Sequence, residues 1–456
     1  MGNQHGGKLK KRDLVGYGAA TIADSGPYNF VTVYLILFLT TVAGLSPERA
    51  GMITSVAILM DGISGAVIGY ISDNTRSAYG RRRPYMLAAV FPLGAGLILL
   101  FTVFPGSDTM QTVIYVAAGL MFWTGFGVYY TPYTALGAEL TDDYNERGTL
   151  RTYARIFGIA GNFIGMVIPL YLVQFMEGCG SSEKSAWFVM GIIMAAVSCT
   201  GILTTWRMTK GRERKVVIEK KTITPVSLVR EYVSILKLKP FRHMIIVLAF
   251  YMLANTFYNS SMVFFARYSI GVKDSVTSAV FLISIITNMI YTPVAGVASV
   301  RFEKKNVLAS SMLISGAAGV LFFVTGIESY FGMIVYVCIY SVSYSCFWQL
   351  INAIIYDISE VGEYVFGKRL EGSISSVYSL ALTVCTSVAT QAFGWILKFG
   401  YVDAAFLLFP GIFLIIAAVA QFLYPLDKKA FDRLKTALEV RRAGGDPDIS
   451  GLKKII

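Results

Sequence analysis

Twelve stretches of this 456-residue chain are each long and apolar enough to cross a lipid bilayer. A spanning helix needs about 20 mostly apolar residues, because hydrocarbon offers no partner to a backbone N–H or C=O left outside a helix. The stretches cover 14–43, 47–72, 84–104, 110–139, 152–176, 185–206, 241–269, 275–300, 305–325, 330–357, 371–398 and 402–424. Several exceed a straight crossing, which predicts tilt or extension beyond the bilayer. Only 15% of residues are charged and 55% are hydrophobic, too few charges to coat the several soluble domains that this length would otherwise imply. The expected fold class is all-α and integral to the membrane, with twelve transmembrane helices.

Orientation follows from the basic residues. With both termini placed inside, the inner segments hold 34 of the 40 Lys and Arg, and the outer loops hold four: Arg49, Lys184, Lys273 and Lys398. That bias puts both ends on the cytoplasmic side of a cytoplasmic membrane. The net charge of +12 raises nucleic acid as a partner, but the clusters lie between apolar runs, where they face an anionic inner leaflet instead. The apolar stretch after Lys8–Arg12 is too long for the core of a cleavable signal. Two histidines and five scattered cysteines form no metal-ligand or redox spacing, and no nucleophile–base pairing appears. Neither a metal, a cofactor nor an enzyme activity is expected, and a monomer is.

The longest interruption divides six spans from six. The expected organisation is a cytoplasmic tail (1–13), a six-helix bundle (14–206), a basic linker (207–240), a second six-helix bundle (241–424) and a cytoplasmic tail (425–456). Within the linker, Thr224 as N-cap and Pro225 in the first turn open a helix signal, and Val229, Val233 and Leu236 recur at helical spacing. This predicts an amphipathic helix on the inner leaflet. Two six-helix halves on a basic linker resemble the major facilitator superfamily, whose substrate sites lie near mid-membrane.

The most specific string runs from Gly69 through Asp73, Arg76 and Gly80 to Arg81-Arg82-Arg83-Pro84. Gly69 permits close helix approach, Asp73 offers a carboxylate at the inner rim, and the arginines can pair across a closing gate. Positive-inside charge alone accounts for the arginines but not for Gly69, Asp73 and Gly80. The string resembles the second-to-third-helix loop of the glycoside–pentoside–hexuronide:cation symporters, the melibiose-permease type. Tyr17-Gly18, Val42 to Ser46, Asp61, Pro132-Tyr133, Glu146-Arg147, Arg155, Phe347-Trp348, Asp357, Gly362-Glu363 and Arg369 to Glu371 continue the likeness along the whole chain. The resemblance implies an importer of a sugar or glycoside driven by a co-transported cation, with Gly69, Asp73, Arg76, Gly80, Arg81, Arg82, Arg83, Glu146 and Arg147 as the gate.

Charge inside a membrane costs roughly 2.5–3.5 kcal/mol per residue on insertion scales, so intramembrane charges are candidate functional groups. Asp24, Asp61 and Arg155 qualify, with Glu139 and Asp357 nearer the inner ends. A structural ion pair is the plainer alternative for the first three. Arg155 calls for an acidic partner or ligand, and Asn162, seven residues on, shares its helix face to within about 20°. In the family pattern a pair of carboxylates on the second helix holds sodium. Here Asp61 matches the first, Gly65 stands at the second, and Ser64 replaces an amide. One carboxylate makes a poor sodium cage, whereas desolvation favours its protonated form. Proton coupling is therefore preferred to sodium coupling, with Asp24, Asp61 and Ser64 as the coupling residues.

The sugar-clamping positions also depart from the pattern. Ser25 replaces the first-helix acid, Tyr130 and Thr134 replace an acid and a tryptophan, and Thr383 replaces a lysine, while Trp348 is kept. Candidate substrate contacts are Asp24, Ser25, Tyr129, Tyr130, Tyr133, Thr134, Arg155, Asn162, Tyr344, Trp348, Tyr378 and Thr383. Tyr340, Tyr344, Trp348 and Asn352 recur at fours along one face, and Asn255, Tyr258 and Asn259 add polar groups on the seventh span. Tyrosines and small polar residues also simply pack membrane helices. The lost charges leave two alternatives, a lipid-like or drug-like amphipath as substrate and a sodium-coupled sugar symporter. Pro27 and Pro132 break backbone bonds in mid-span; carbonyls freed beside Asp24 are further candidate ligands, and a simple kink is the equal alternative.

Overall fold

A computed structural model of the chain describes residues 9–75, 77, 80–141, 143–211, 225–368 and 370–442. The described residues hold no strand, and twelve helices are long and apolar enough to span a membrane. In chain order the elements are α1 (Lys11–Val42), α2 (Pro47–Asn74), α3 (Arg83–Leu100), α4 (Asp108–Glu139), α5 (Tyr144–Asn162, continued over Phe163–Val167 and Ile168–Gly178) and α6 (Glu183–Met208). A short helix α7 (Pro225–Leu236) precedes α8 (Lys239–Ile270), α9 (Asp274–Phe302), α10 (Lys304–Thr325), α11 (Tyr330–Phe366), α12 (Glu371–Lys398), α13 (Ala404–Phe422) and α14 (Lys428–Arg442).

Turn chemistry sets several boundaries. Ser107, Ser182 and Ser329 each accept a first-turn backbone N–H at the starts of α4, α6 and α11, and Asp143 does so for α5. The tenth span, expected to end at 357, runs on to Phe366, because Ile358, Val361 and Tyr364 continue its buried stripe. It stops at Gly367, whose φ of 68° suits a residue without a side chain. Wide π turns occur at Phe38–Val42, Phe163–Val167, Phe265–Ile270 and Ala404–Leu408.

Close packing rather than hydrophobic expulsion must hold helices together in lipid, and small residues make it feasible. Gly26 of α1 meets Gly161 and Gly165 of α5 backbone to backbone. Gly96 of α3 admits Phe122 of α4, and Gly125 of α4 admits Leu93 of α3. In the other bundle Gly316 of α10 and Gly411 of α13 meet in the same way.

Contacts divide the chain into two compact units. The first comprises Met1–Lys220, Ala266–Ile285 and Thr390–Gly400, and the second Lys221–Phe265, Ile286–Ala389 and Tyr401–Ile456. Two short stretches of the later helices, 266–285 and 390–400, pack with the first unit. Specific bonds hold them there. Arg267 pairs with Asp274 (Nε to Oδ1 2.8 Å) and approaches Glu183 at 3.7 Å, Lys398 pairs with Glu48 at 2.6 Å, and Ser275 N–H donates to Gln174 at 2.6 Å. Gly51 and Gly394 also touch backbone to backbone.

In the second unit, α7 packs on protein. Glu231 accepts from Lys368 at 2.5 Å and from Ser373, and Ile235 is fully buried. Residues 212–224 of the basic linker, Thr224 among them, lie outside the described residues.

Candidate functional site

In the first unit, α1 lays a polar face against α4. Tyr17, Thr21, Asp24 and Tyr28 follow at three- and four-residue steps, so they share one side of the helix. The Tyr133 hydroxyl donates to the Tyr17 carbonyl at 3.1 Å and meets the Thr21 hydroxyl at 2.7 Å. The Tyr17 and Tyr133 rings stack with centroids 4.6 Å apart. Tyr129 donates to the Ala20 carbonyl, and Tyr28 stands edge-on to Trp123 at 5.5 Å. Asp24 lies in the middle of this face, half-buried, close enough to interact electrostatically with Tyr17, Tyr129, Tyr130, Tyr133 and Asp61.

The four candidate side chains of α4 therefore separate. Tyr130 is 40% exposed and stacks on Phe126, and Thr134 is exposed, so both remain accessible. Tyr129 and Tyr133, whose hydroxyls are taken up by the Ala20 and Tyr17 carbonyls of α1, are mortar between α1 and α4 rather than substrate contacts. Ser25 likewise turns toward α5, packed against Gly158 and Gly161. The carbonyl freed by Pro27 belongs to Ala23, and Ser198 of α6 takes it at 3.2 Å. That oxygen is already bonded instead of standing ready for a cation.

Asn162 is held by Asn29, whose amide donates to it at 2.8 Å and to the Ser25 carbonyl at 2.8 Å. Arg155 is exposed and makes no ion pair among the described residues, so the expected acidic partner is not found. On α2, Asp61 is half-buried, while the buried Ser64 hydroxyl donates to the Asp61 carbonyl at 3.1 Å. A side chain at Gly65 would start 3.2 Å from the Thr131 hydroxyl, and Gly127 opposes Ser64 directly. A side chain at position 65 would have to displace the Thr131 hydroxyl.

In the second unit, Trp348 of α11 is 38% exposed, edge-on to Phe347 at 5.4 Å and tilted toward Tyr344 at 6.3 Å. Tyr340, one turn earlier, is buried in a stack with Tyr258 at 3.6 Å, so the face expected of 340, 344, 348 and 352 is accessible only from Tyr344 onward. Tyr378 and Thr383 of α12 are buried, and the Thr383 hydroxyl bonds its own helix at the Ser379 carbonyl.

The arginine triplet binds inside the first unit. Arg81 and Arg82 converge on Glu139 of α4, Arg82 also donates to Ser72 at 2.7 Å, and Arg83 donates to the Trp206 carbonyl at 3.0 Å with its guanidinium over that indole. These bonds tie the ends of α2, α3, α4 and α6 together. Glu146 accepts from the Leu9 N–H at 3.0 Å and from Thr141 at 2.6 Å, and Arg147 donates to the Thr141 carbonyl. Gly69 faces Thr131, and Gly80 has a φ of 99°, which makes the turn into α3. Arg76 and the side chain of Asp73 lie outside the described residues.

Sequence reasoning passed over Asn29, Thr21, Trp123 and, as a gate partner, Glu139. Asn29 carried a usable signal, an amide four residues after Ser25 in a membrane span.

The sequence family described as MFS/sugar transport protein matches residues 16–428. The isoprimeverose transporter of Lactiplantibacillus pentosus is 26% identical over 399 residues, covering 84% of this chain and 79% of that one. The glucuronide carrier protein homolog of Escherichia coli (strain K12) is 22% identical over 454 residues, covering 95% and 97%. Among solved structures, that of a D-xylose–proton symporter superposes with a TM-score of 0.65 at 14% identity, over 90% of this chain and 96% of that one, and shares the fold.

Proposed function

We propose, from the premise that the chain belongs to the MFS/sugar transport family over residues 16–428, that it imports a neutral sugar or glycoside together with a proton. The twelve spans make it a multi-pass membrane protein. Its arginine-rich ends face the cytoplasm in this reading, as the positive-inside bias requires. Relatives named as an isoprimeverose transporter and a glucuronide carrier homolog support a sugar or glycoside as the substrate class, and its neutrality rests on the uncharged residues around Trp348.

One observation carries the choice of ion. Gly65 stands one turn from Asp61, so Asp61 is the single mid-span carboxylate of α2, whose other acids, Glu48 and Asp73, lie in its first and last turns, and hard cations need several oxygen ligands. Asp24 is the other carboxylate within electrostatic reach. A proton needs no ligand cage, and it is carried on Asp61 with Asp24 as neighbour. Alternating access follows if sugar and proton together lower the energy of the occluded state. The arginine–Glu139 cluster keeps four helix ends moving as one body. Trp348, accessible in the second unit, receives the sugar ring.

The test uses purified protein in proteoliposomes, with internal pH followed as neutral glycosides, pentosides, uronides and lysolipids are added, with and without Na⁺. Sugar-driven acidification of the lumen, lost in Asp61→Asn, is the expected result. Sugar entry that needs Na⁺ and moves no proton overturns the coupling. Competition by lysolipids with no sugar flux replaces the substrate class.

A further inference from the structure

The second unit contains buried hydroxyls with nothing to bond. Tyr251 of α8, Tyr340 of α11 and Tyr378 of α12 are 0%, 1% and 8% exposed, and none of their hydroxyls has a hydrogen-bond partner among the described residues. A buried hydroxyl left unpaired costs about 1–3 kcal/mol, so three on converging helices imply an occupant rather than an accident of packing.

The three are gathered and held. Tyr251 lies within electrostatic reach of Tyr344 and Tyr378, and Tyr340 within that of Tyr251 and Tyr344. Face-to-face stacking fixes the rings: Tyr251 lies on Phe347 at 3.5 Å, and Tyr340 lies on Tyr258 at 3.6 Å. Neither phenol can swing away to find a partner without breaking a stack. Tyr344 and the 38%-exposed Trp348 continue the same face of α11 toward the accessible surface. The residues of the cluster are aromatic and neutral, so nothing in it compensates a charged guest.

We infer that Tyr251, Tyr340 and Tyr378 form a subsite for the hydroxyl-bearing face of an uncharged sugar ring, reached past Tyr344 and Trp348. The inference rests on the sugar-transport reading and narrows it. Phenol hydroxyls both donate and accept, as sugar hydroxyls do, and an indole at the mouth offers an apolar face to the ring's C–H side. A uronate carboxylate placed here would be desolvated with no cation to meet it. The subsite therefore selects neutral glycosyl groups over uronides.

The experiment measures transport by wild type, Tyr251→Phe, Tyr340→Phe and Tyr378→Phe in proteoliposomes. The probes are a neutral pyranoside panel, its monodeoxy derivatives and the matching uronides, and each variant's melting temperature is recorded. Each lost hydroxyl should raise KM for the neutral sugar about tenfold, the equivalent of roughly 1.4 kcal/mol, with the melting temperature unchanged or higher. The deoxy sugar lacking the matching group should suffer no further loss in that variant, and wild type should discriminate against the uronide. Wild-type sugar transport with KM unchanged in all three variants overturns the subsite and assigns the hydroxyls to ordered water only. Preference for uronides overturns it as well. Absence of any sugar flux in wild type refutes the sugar-transport reading itself. If a variant fails to fold, equilibrium binding of the deoxy series to the other two decides.

Discussion

Glu139 shows how much a single side chain can hold at a helix end. It is 9% exposed and faces two guanidiniums, those of Arg81 and Arg82. Removing one member of a buried charge set leaves the others uncompensated, at about 3–5 kcal/mol. Glu139→Gln is therefore expected to lower thermal stability measurably in detergent, while Arg49→Gln, whose pair with Asp108 is exposed on both sides, should leave the melting temperature nearly unchanged. At this scale the sequence was a partial guide. Asp61, Asp24 and the arginine triplet stood out because charge in or beside a span is rare. Tyr129 and Tyr133 were misplaced for a physical reason. Apolar lipid, a packed neighbour and a wet cavity all tolerate tyrosine, and residue type alone does not say which of the three a helix face meets. The Ala23 carbonyl was misjudged because its partner, Ser198, is 175 positions away.

Helices differ in how much their glycines matter. Gly165 of α5 lies against the backbone of Gly26, so Gly165→Leu should separate α1 from α5 and abolish folding, read as loss of the monodisperse peak in size-exclusion chromatography. Gly148 of the same helix has open space where a Cβ would stand. Gly148→Ala should stabilise by about 0.5–1 kcal/mol through reduced freedom of the unfolded chain. The docking of α7 has its own pH signature. The hydrogen bonds from Lys368 and Ser373 hold the Glu231 carboxyl below its ordinary value of 4.5. A depressed acid contributes stability above its unfolded value and loses it as pH falls through the folded one. Hydrogen exchange over 225–236 should thus stay slow from neutral pH down to about 4.5 and accelerate below it. Glu231→Gln should exchange fast at neutral pH and flatten the profile. Most spans were legible within a few residues, because hydrocarbon thickness fixes their length, but the fifth starts early, at Tyr144, and the tenth ends late, at Phe366, where the helices run on past the apolar stretch. The π turns were not, since one extra residue in a turn leaves the apolar pattern intact.

For the whole molecule, the telling contact is at the end of the first unit opposite the arginines. Gly51 stands so close to Gly394 that a Cβ there would lie 3.0 Å from its Cα and 3.3 Å from the Thr390 carbonyl. Gly51→Leu should prevent this end from closing. Transport is expected to fall at least tenfold with sugar binding retained, which counterflow and equilibrium binding measured side by side would separate. The grouping of 266–285 and 390–400 with the first unit was invisible in the sequence, where halves are read from loops and not from ion pairs such as Lys398–Glu48. The long helix α11 has a practical consequence of a different kind. Its 37 residues measure about 55 Å at 1.5 Å each, against about 30 Å of hydrocarbon. Its final turns are anchored where Arg441 of α14 reaches the Tyr364 carbonyl, and Leu434 and Leu438 of α14 are buried alongside. For single-particle imaging, a 50.0 kDa protein sunk in a detergent belt offers few landmarks by which to align its images. A rigid antibody fragment raised against the projecting knob of α7, α11 and α14 would supply one.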